Sequence, residues 1–337
     1  MKKILFFICP LILLFGCKDK KRNVPDVSNV KASLKVVRFE QDLFAPANEN
    51  IDQKLGQLDA KYGNFTKDFL YNIVGIPPFP DSVRMHLPTF IHDYQSINDS
   101  VQVHFKDLNK TLEPLQLAMK LIHVYFPFYK APDKLITFVG PFDGYGNVLT
   151  SSGMAVGLQM YLGKDFPAYN TEYIQTIYPA YITRRFEPEY LPVNCVKNLI
   201  EDMYPNKSQS LPLVQQMIEA GKRMYVLDQL LPYVADTVKI GYTNDQLEGS
   251  YKREEAIWNY FTVNNLLYSI ELDETREYVN DGPKTNALGE DSPGNIGTFI
   301  GWQIVKKWME KNEKTTLIHL MDTPADQIFK EAKYKPH

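Results

Sequence analysis

Leu135-Ile136-Thr137-Phe138-Val139 reads as a β-strand, because four of its five residues are β-branched or aromatic. The next stretch, Gly140-Pro141-Phe142-Asp143-Gly144-Tyr145-Gly146-Asn147, is rich in turn residues. Met154 to Tyr161 then reads as a return strand, stopped by Gly163. Leu34-Lys35-Val36-Val37-Arg38-Phe39 is a further short candidate strand. Outside these segments the apolar residues recur mainly at helical spacing. The expected class is therefore α+β, mainly helical, with one small antiparallel sheet.

The helical segments are defined by their stripes. Ile51 to His104 is mainly helical, with breaks expected at Gly75-Ile76-Pro77-Pro78 and near Asn98. Thr111 to Phe126 carries Leu112, Leu115, Met119, Ile122 and Phe126 on one side. Glu189 to Tyr204 places Leu191, Cys195, Leu199 and Met203 along one stripe. Leu213 to Leu231 is interrupted by Gly221, which costs about 1 kcal/mol relative to alanine and is usually compensated by close approach of another element. Thr243 and Gln246 form a capping-box pair that should open one long helix through Trp258 and Leu267. The last helix runs from about Asn295 to Asn312, with Gly297 and Gly301 on one face.

The N-terminus sets the compartment. Met1-Lys2-Lys3 is positive, Ile4 to Leu13 is almost entirely apolar, and Leu14-Phe15-Gly16-Cys17 follows. The apolar run is too short to span a bilayer. It reads as a secretory leader, residues 1–16, removed before a lipid-bearing Cys17. In an ordinary secretory leader Cys17 would be incidental. Lys18-Asp19-Lys20-Lys21-Arg22-Asn23-Val24-Pro25 is charged and has no apolar face, so residues 17–30 are expected to be a flexible tether to one globular domain, 31–337. From Lys18 to Val30 it reaches at most roughly 40 Å. Its basic residues gain about 1 kcal/mol each on an anionic membrane surface. Lys18 is not the aspartate linked to inner-membrane retention, and the tether lacks an acidic run linked to surface export. The expected location is the cell envelope, lipid-anchored and facing the periplasm.

Charge and motifs narrow the chemistry. Loss of Lys2 and Lys3 with the leader takes the formal charge from −3 to −5, so no basic face suited to nucleic acid is implied. Cys9 leaves with the leader and Cys17 is acylated. Cys195 is then alone, cannot form an internal disulfide, and reads as a buried small hydrophobe. The histidines (His86, His92, His104, His123, His319 and His337) include no pair four apart, so there is no His-Glu-x-x-His zinc helix. Gly144-Tyr145-Gly146 does not continue into a phosphate loop, and Ser151-Ser152-Gly153 has no nucleophile-elbow context. Glu187, Glu189, Glu201, Asp202, Glu219, Glu254 and Glu255 are available as carboxylates, but Glu254 and Glu255 are adjacent and point to different sides of a helix. No catalytic residue, metal or cofactor is expected.

Met217-Ile218-Glu219-Ala220-Gly221-Lys222-Arg223-Met224-Tyr225, Arg253-Glu254-Glu255-Ala256-Ile257-Trp258-Asn259-Tyr260-Phe261 and Pro293-Gly294-Asn295-Ile296-Gly297-Thr298-Phe299-Ile300-Gly301-Trp302-Gln303-Ile304-Val305, together with the lipobox, resemble the gliding-motility-associated lipoprotein GldB family. That resemblance runs over essentially the whole chain. It implies a non-enzymatic envelope lipoprotein required for gliding. Its implied partners are the membrane lipid, through Cys17, and other proteins of the gliding and secretion apparatus. The same segments also resemble putative zinc proteases with a zincin-like fold. Asn194 and Asn198 then stand where two metal-binding imidazoles belong, and Glu219 near the place of a glutamate ligand. The implication is a relative that kept the scaffold and lost the metal. The rival readings are an exported zinc-dependent hydrolase using Glu219, Glu254 or Glu255, and a glycan- or peptide-binding lipoprotein using the Asp281–Asp291 loop or Trp258, Trp302 and Trp308.

Overall fold

The structure is a computed structural model and describes residues 24–46 and 50–336. The leader, Cys17 and the basic part of the tether lie outside the described residues. β1 (Lys35–Arg38), β2 (Lys134–Phe138), β3 (Asn147–Thr150) and β4 (Gly153–Gly157) form one sheet in the order β1-β2-β4-β3. β1 and β4 run parallel to β2, and only β3 pairs antiparallel, with β4. The sheet is therefore mixed, not antiparallel as expected. Asn147, counted with the turn, instead begins an edge strand. The chain thus reverses twice, and the return segment lies beside β2 in the parallel sense. It also leaves the strand at Gly157 and closes with a 3-10 turn, Leu158–Met160.

The β3–β4 reversal is built on its side chains. The Thr150 hydroxyl accepts from the Ser152 N–H (3.1 Å) and donates to the Gly153 carbonyl (3.0 Å). Gly153 has φ of +139°, and a β-carbon there would stand 2.8 Å from the Lys134 carbonyl oxygen. Glycine is thus required both for the conformation and for the contact with β2. β4 is buried along its whole length, as a central parallel strand should be.

The first half of the chain packs around this sheet. α1 (Phe39–Leu43) follows β1 directly; α2 (Ile51–Tyr62) opens with an Asn50–Gln53 capping box and leads into α3 (Asn64–Lys67). After a π-helical stretch, Asp68–Ile73, come α4 (Pro80–His104) and α5 (Asn109–Tyr125). Phe39, Phe65, Phe69 and Phe138 meet edge-on or tilted at centroid separations of 4.8 to 6.5 Å. This aromatic cluster joins α1, α3 and the π stretch to β2. α4 is unbroken: Asn98 is buried and its side chain accepts from Gln102 within the helix (3.0 Å), so the expected break there does not occur.

The second half is helical. α6 (Glu172–Ile177) and α7 (Ala180–Thr183) lead into α8 (Tyr190–Met203) and α9 (Leu213–Leu230). α10 (Asp236–Ile240), α11 (Asn244–Lys252), α12 (Glu254–Val263) and α13 (Leu272–Val279) follow, then α14 (Ile296–Lys311), α15 (Leu317–Asp322) and α16 (Ala325–Ala332). The Thr243–Gln246 box opens α11, but Arg253 leaves helical geometry (φ −111°, ψ 14°), so the long helix expected from Thr243 is two. The Arg253 guanidinium reaches the Gly249 and Asp291 carbonyls at that point.

α9 and α14 make the most extensive helix–helix contact in the fold. A β-carbon on Gly221 would lie 2.6 Å from the Trp302 nitrogen and closer still to the Gly301 carbonyl. One on Gly301 would fall inside the Met217 carbonyl, and one on Gly297 would stand 2.7 Å from the Tyr278 oxygen. Gly221 and Gly301 therefore let the α9 and α14 backbones touch, and Gly297 admits the Tyr278 backbone of α13. Near this pair, Lys239 is 0% exposed and ion-paired with Asp228 and with Asp236 (2.7 Å). At the N-terminal end Val27 is buried, and Val24 and Val30 rest on the core.

Candidate functional site

α8 carries the asparagine pair singled out above. Leu191, Cys195 and Leu199 are fully buried at four-residue spacing and fix the helix on the core. The same spacing, one residue earlier, sets Asn194 and Asn198 on a half-buried face toward β3. Asn198 donates its amide to the Asn147 carbonyl (3.1 Å). Asn194 donates to the Tyr161 hydroxyl (3.0 Å), and Tyr161 donates to the Asn147 side-chain oxygen (2.5 Å). The Asn147 amide donates to Cys195 Sγ (3.3 Å). The result is one hydrogen-bonded cluster linking α8, the start of β3 and the end of the β4 turn.

The electrostatics of the cluster are those of neutral groups. Burial pushes the Cys195 thiol up to about 12, against the Asn147 hydrogen bond that favours the thiolate. Burial also pushes the Tyr161 phenol far above its ordinary range, and the neighbouring Cys195 adds to this. At neutral pH the cluster holds a thiol, a phenol and amides. It offers no thiolate nucleophile and no general base.

Zinc does not fit this face. Asn194 and Asn198 aim N–H groups at Tyr161 and Asn147, and a cation needs lone pairs. Neutral amides without imidazole or thiolate are poor zinc ligands. Among the described residues, no group of three or more His, Cys, Asp or Glu could hold a metal ion. His86, His92, His104, His123 and His319 are all exposed, on α4, α5 and α15.

A family model described as gliding motility protein GldB matches residues 20–336. The chain belongs to the GldB family. No curated protein and no solved structure matches it. The GldB-like segments fall at the centre of the fold: Met217–Tyr225 lies within α9, Arg253–Phe261 at the α11–α12 junction and most of Pro293–Val305 in α14. The glycine crossing accounts for much of the first and third.

Glu219, the third singled-out residue, keeps different company from the asparagines. Its carboxylate pairs with Lys222 (2.7 Å) and Arg223 (3.6 Å) on its own helix. Lys222 Nζ also donates to the Met321 and Thr323 carbonyls (3.0 and 3.1 Å), and Arg223 donates to the Tyr204 carbonyl (2.8 Å). These cations satisfy carbonyls at the C-terminal ends of α8 and α15. A cavity of about 410 Å³ opens beside them, lined in part by Glu219, Lys222, Arg223 and Lys207. Glu219 thus serves a junction of three helices in this GldB-family chain.

Of the other candidates, Glu255 is exposed on α12, and the rest are held in structure. Glu254 accepts from the Tyr334 hydroxyl (2.5 Å). Trp302 and Trp308 are buried, and Trp258 packs edge-on against Tyr334 and Phe329. The 281–291 loop is tied by Arg185–Asp281 and Lys284–Glu290 ion pairs and by the buried Thr285 hydroxyl, which donates to the Pro293 carbonyl (2.7 Å). Sequence reasoning missed Asn147 and Tyr161, the partners of the asparagine pair. The available signal was an asparagine at the junction of a turn and a strand.

Proposed function

We propose that this GldB-family chain is an envelope lipoprotein, acylated at Cys17, that serves gliding motility and its associated secretion machinery without catalysing a reaction. Its body faces the periplasm and contacts other envelope proteins. The observation that carries this reading is family membership over nearly the whole chain. The asparagine cluster supports the non-enzymatic part. A hydrolytic site needs an open ligand position or an activated nucleophile, whereas here Asn194, Asn198 and Cys195 bond to their neighbours. We read α8 as a zincin-like helix that lost its metal, since two polar residues four apart still face an edge strand.

Deleting the gene in a gliding host should abolish spreading on agar while growth continues, and wild-type chain should restore it. Cys17→Ala should fail to restore spreading. Asn194→Ala with Asn198→Ala should restore it if enough folded protein accumulates. Purified metal-replete protein holding stoichiometric zinc, with peptide cleavage lost on Glu219→Gln, would overturn the non-enzymatic reading.

A further inference from the structure

We infer that the body of this protein seats one particular face on an anionic lipid surface: the face where β1 and β2 begin. This rests on the reading of Cys17 as the lipid anchor. Lys35 and Lys134 start these two parallel strands and are register partners, so their side chains leave the same end of the sheet. Lys31 and Lys130 line the adjoining cavity of about 460 Å³, together with His123 and Phe128. All four lysines are exposed. None has an ion-pair partner among the described residues. Asp133 is the only carboxylate lining that cavity, and it also lines the neighbouring one beside Lys35 and Lys134. The face is therefore cationic on a mature chain of net negative charge.

Two further observations select lipid as the occupant. Phe128, 59% exposed, stands with the exposed Val124 and Pro127 beside the lysines. An aromatic ring rimmed by cations suits the boundary between headgroups and acyl chains. The chain also enters the body here. Lys31, Ala32 and Ser33 line the same cavity, and six residues lie between Cys17 and Val24, which rests on the core. The chain from Cys17 to Val24 reaches at most about 25 Å. Lys18, Lys20, Lys21 and Arg22, with Asp19 among them, fall in that stretch of the sequence, so its net charge is positive.

The acylated full-length lipoprotein carrying Phe128→Cys provides the test. Cys195 is buried, so a polarity-sensitive maleimide should label position 128 alone. The labelled protein is reconstituted in phosphatidylcholine vesicles with or without phosphatidylglycerol. Its emission should shift to the blue only with the anionic lipid, and the shift should vanish near 1 M salt, where screening acts within about 3 Å. Replacing Lys31, Lys35, Lys130 and Lys134 by Gln should lower the seated-to-free ratio by at least tenfold, since each lysine near the surface is worth roughly a factor of five. Co-flotation with pure phosphatidylcholine vesicles reports the anchor separately. Failure to float sinks the Cys17 reading. Flotation without the anionic-lipid shift, or a shift unchanged by the four replacements, overturns the seating and leaves the cationic face to an acidic protein.

Discussion

Replacing Gly221 by alanine tests whether α9 and α14 are held together by backbone contact. The new β-carbon would stand 2.6 Å from the Trp302 nitrogen, where ordinary contacts begin near 3.4 Å. The obstacle is backbone, so no rotamer change relieves it, and the axes must part by roughly 1 Å. A gap of about that size forfeits a quarter to a half of each dispersion contact it opens. Residues around the crossing, such as Met217, Ile218, Trp302 and Val305, are fully buried. Overpacking of this kind costs about 3 kcal/mol at the upper end of its usual range. The gain in helix propensity returns about 1 kcal/mol, leaving a net loss of about 2 kcal/mol. For a body of roughly 310 residues, an unfolding entropy of about 2.1 cal/mol/K per residue makes this about 3 °C in Tm. Gly56→Ala is the control. It lies on exposed α2 with nothing within 4 Å of a β-carbon, so it should raise Tm by about 1 °C through propensity alone. Scanning calorimetry of both variants decides the matter. A Gly221→Ala protein as stable as the parent, beside a stabilised Gly56→Ala protein, would refute the close-contact argument.

Lys239→Met removes the buried partner of Asp228 and Asp236 and should cost about 3–5 kcal/mol, read as a lower urea midpoint. An unchanged midpoint would show that the pair adds nothing to the fold. Burial works to raise the Asp42 carboxyl, but hydrogen bonds from Lys61 and Tyr62 outweigh it and hold its pKa below the ordinary value. A depressed folded pKa contributes stability above the unfolded value, lost as pH falls through the folded one. The stability gap between wild type and Asp42→Asn should therefore be open at pH 7 and close in acid; a gap independent of pH would contradict the assignment. Cys195, with its pKa pushed up to about 12 by burial, should resist a thiol-disulfide reagent at pH 8 until denaturant is added. Rapid modification of the folded protein would place the thiol at the surface.

Helical stripes and caps were the most legible part of the chain. The α5, α8, α9 and α14 spans follow their apolar periodicity because each buries one face, and the Thr243 box forms because its groups are local. Even the close approach at Gly221 was readable, since a glycine in a buried helix needs a reason. Strand order was not. The parallel pairing of β1 with β2 joins residues about a hundred positions apart, and no local pattern encodes that register. The break at Arg253 was equally hidden, because the carbonyl it reaches belongs to Asp291. At the candidate site, the asparagine spacing was visible, but its partner Asn147 was absorbed into the turn. Glu219 stood out for its neighbours in sequence, and only the fold shows it serving Lys222 and Arg223.

The direction of β1 has a mechanical consequence. It lies parallel to β2 at the sheet edge, with its N-terminal end nearest the tether. A pull on the N-terminal chain would load the body through the Val24–Leu34 segment and then along this strand. Traction along a strand bears on all its inter-strand bonds at once, whereas a perpendicular tug peels them singly. The Arg38 guanidinium adds a clamp at the end of the strand, donating to the Phe105 carbonyl at the C-terminal end of α4 (2.9 Å). This short seam is oriented to resist a pull that runs along it.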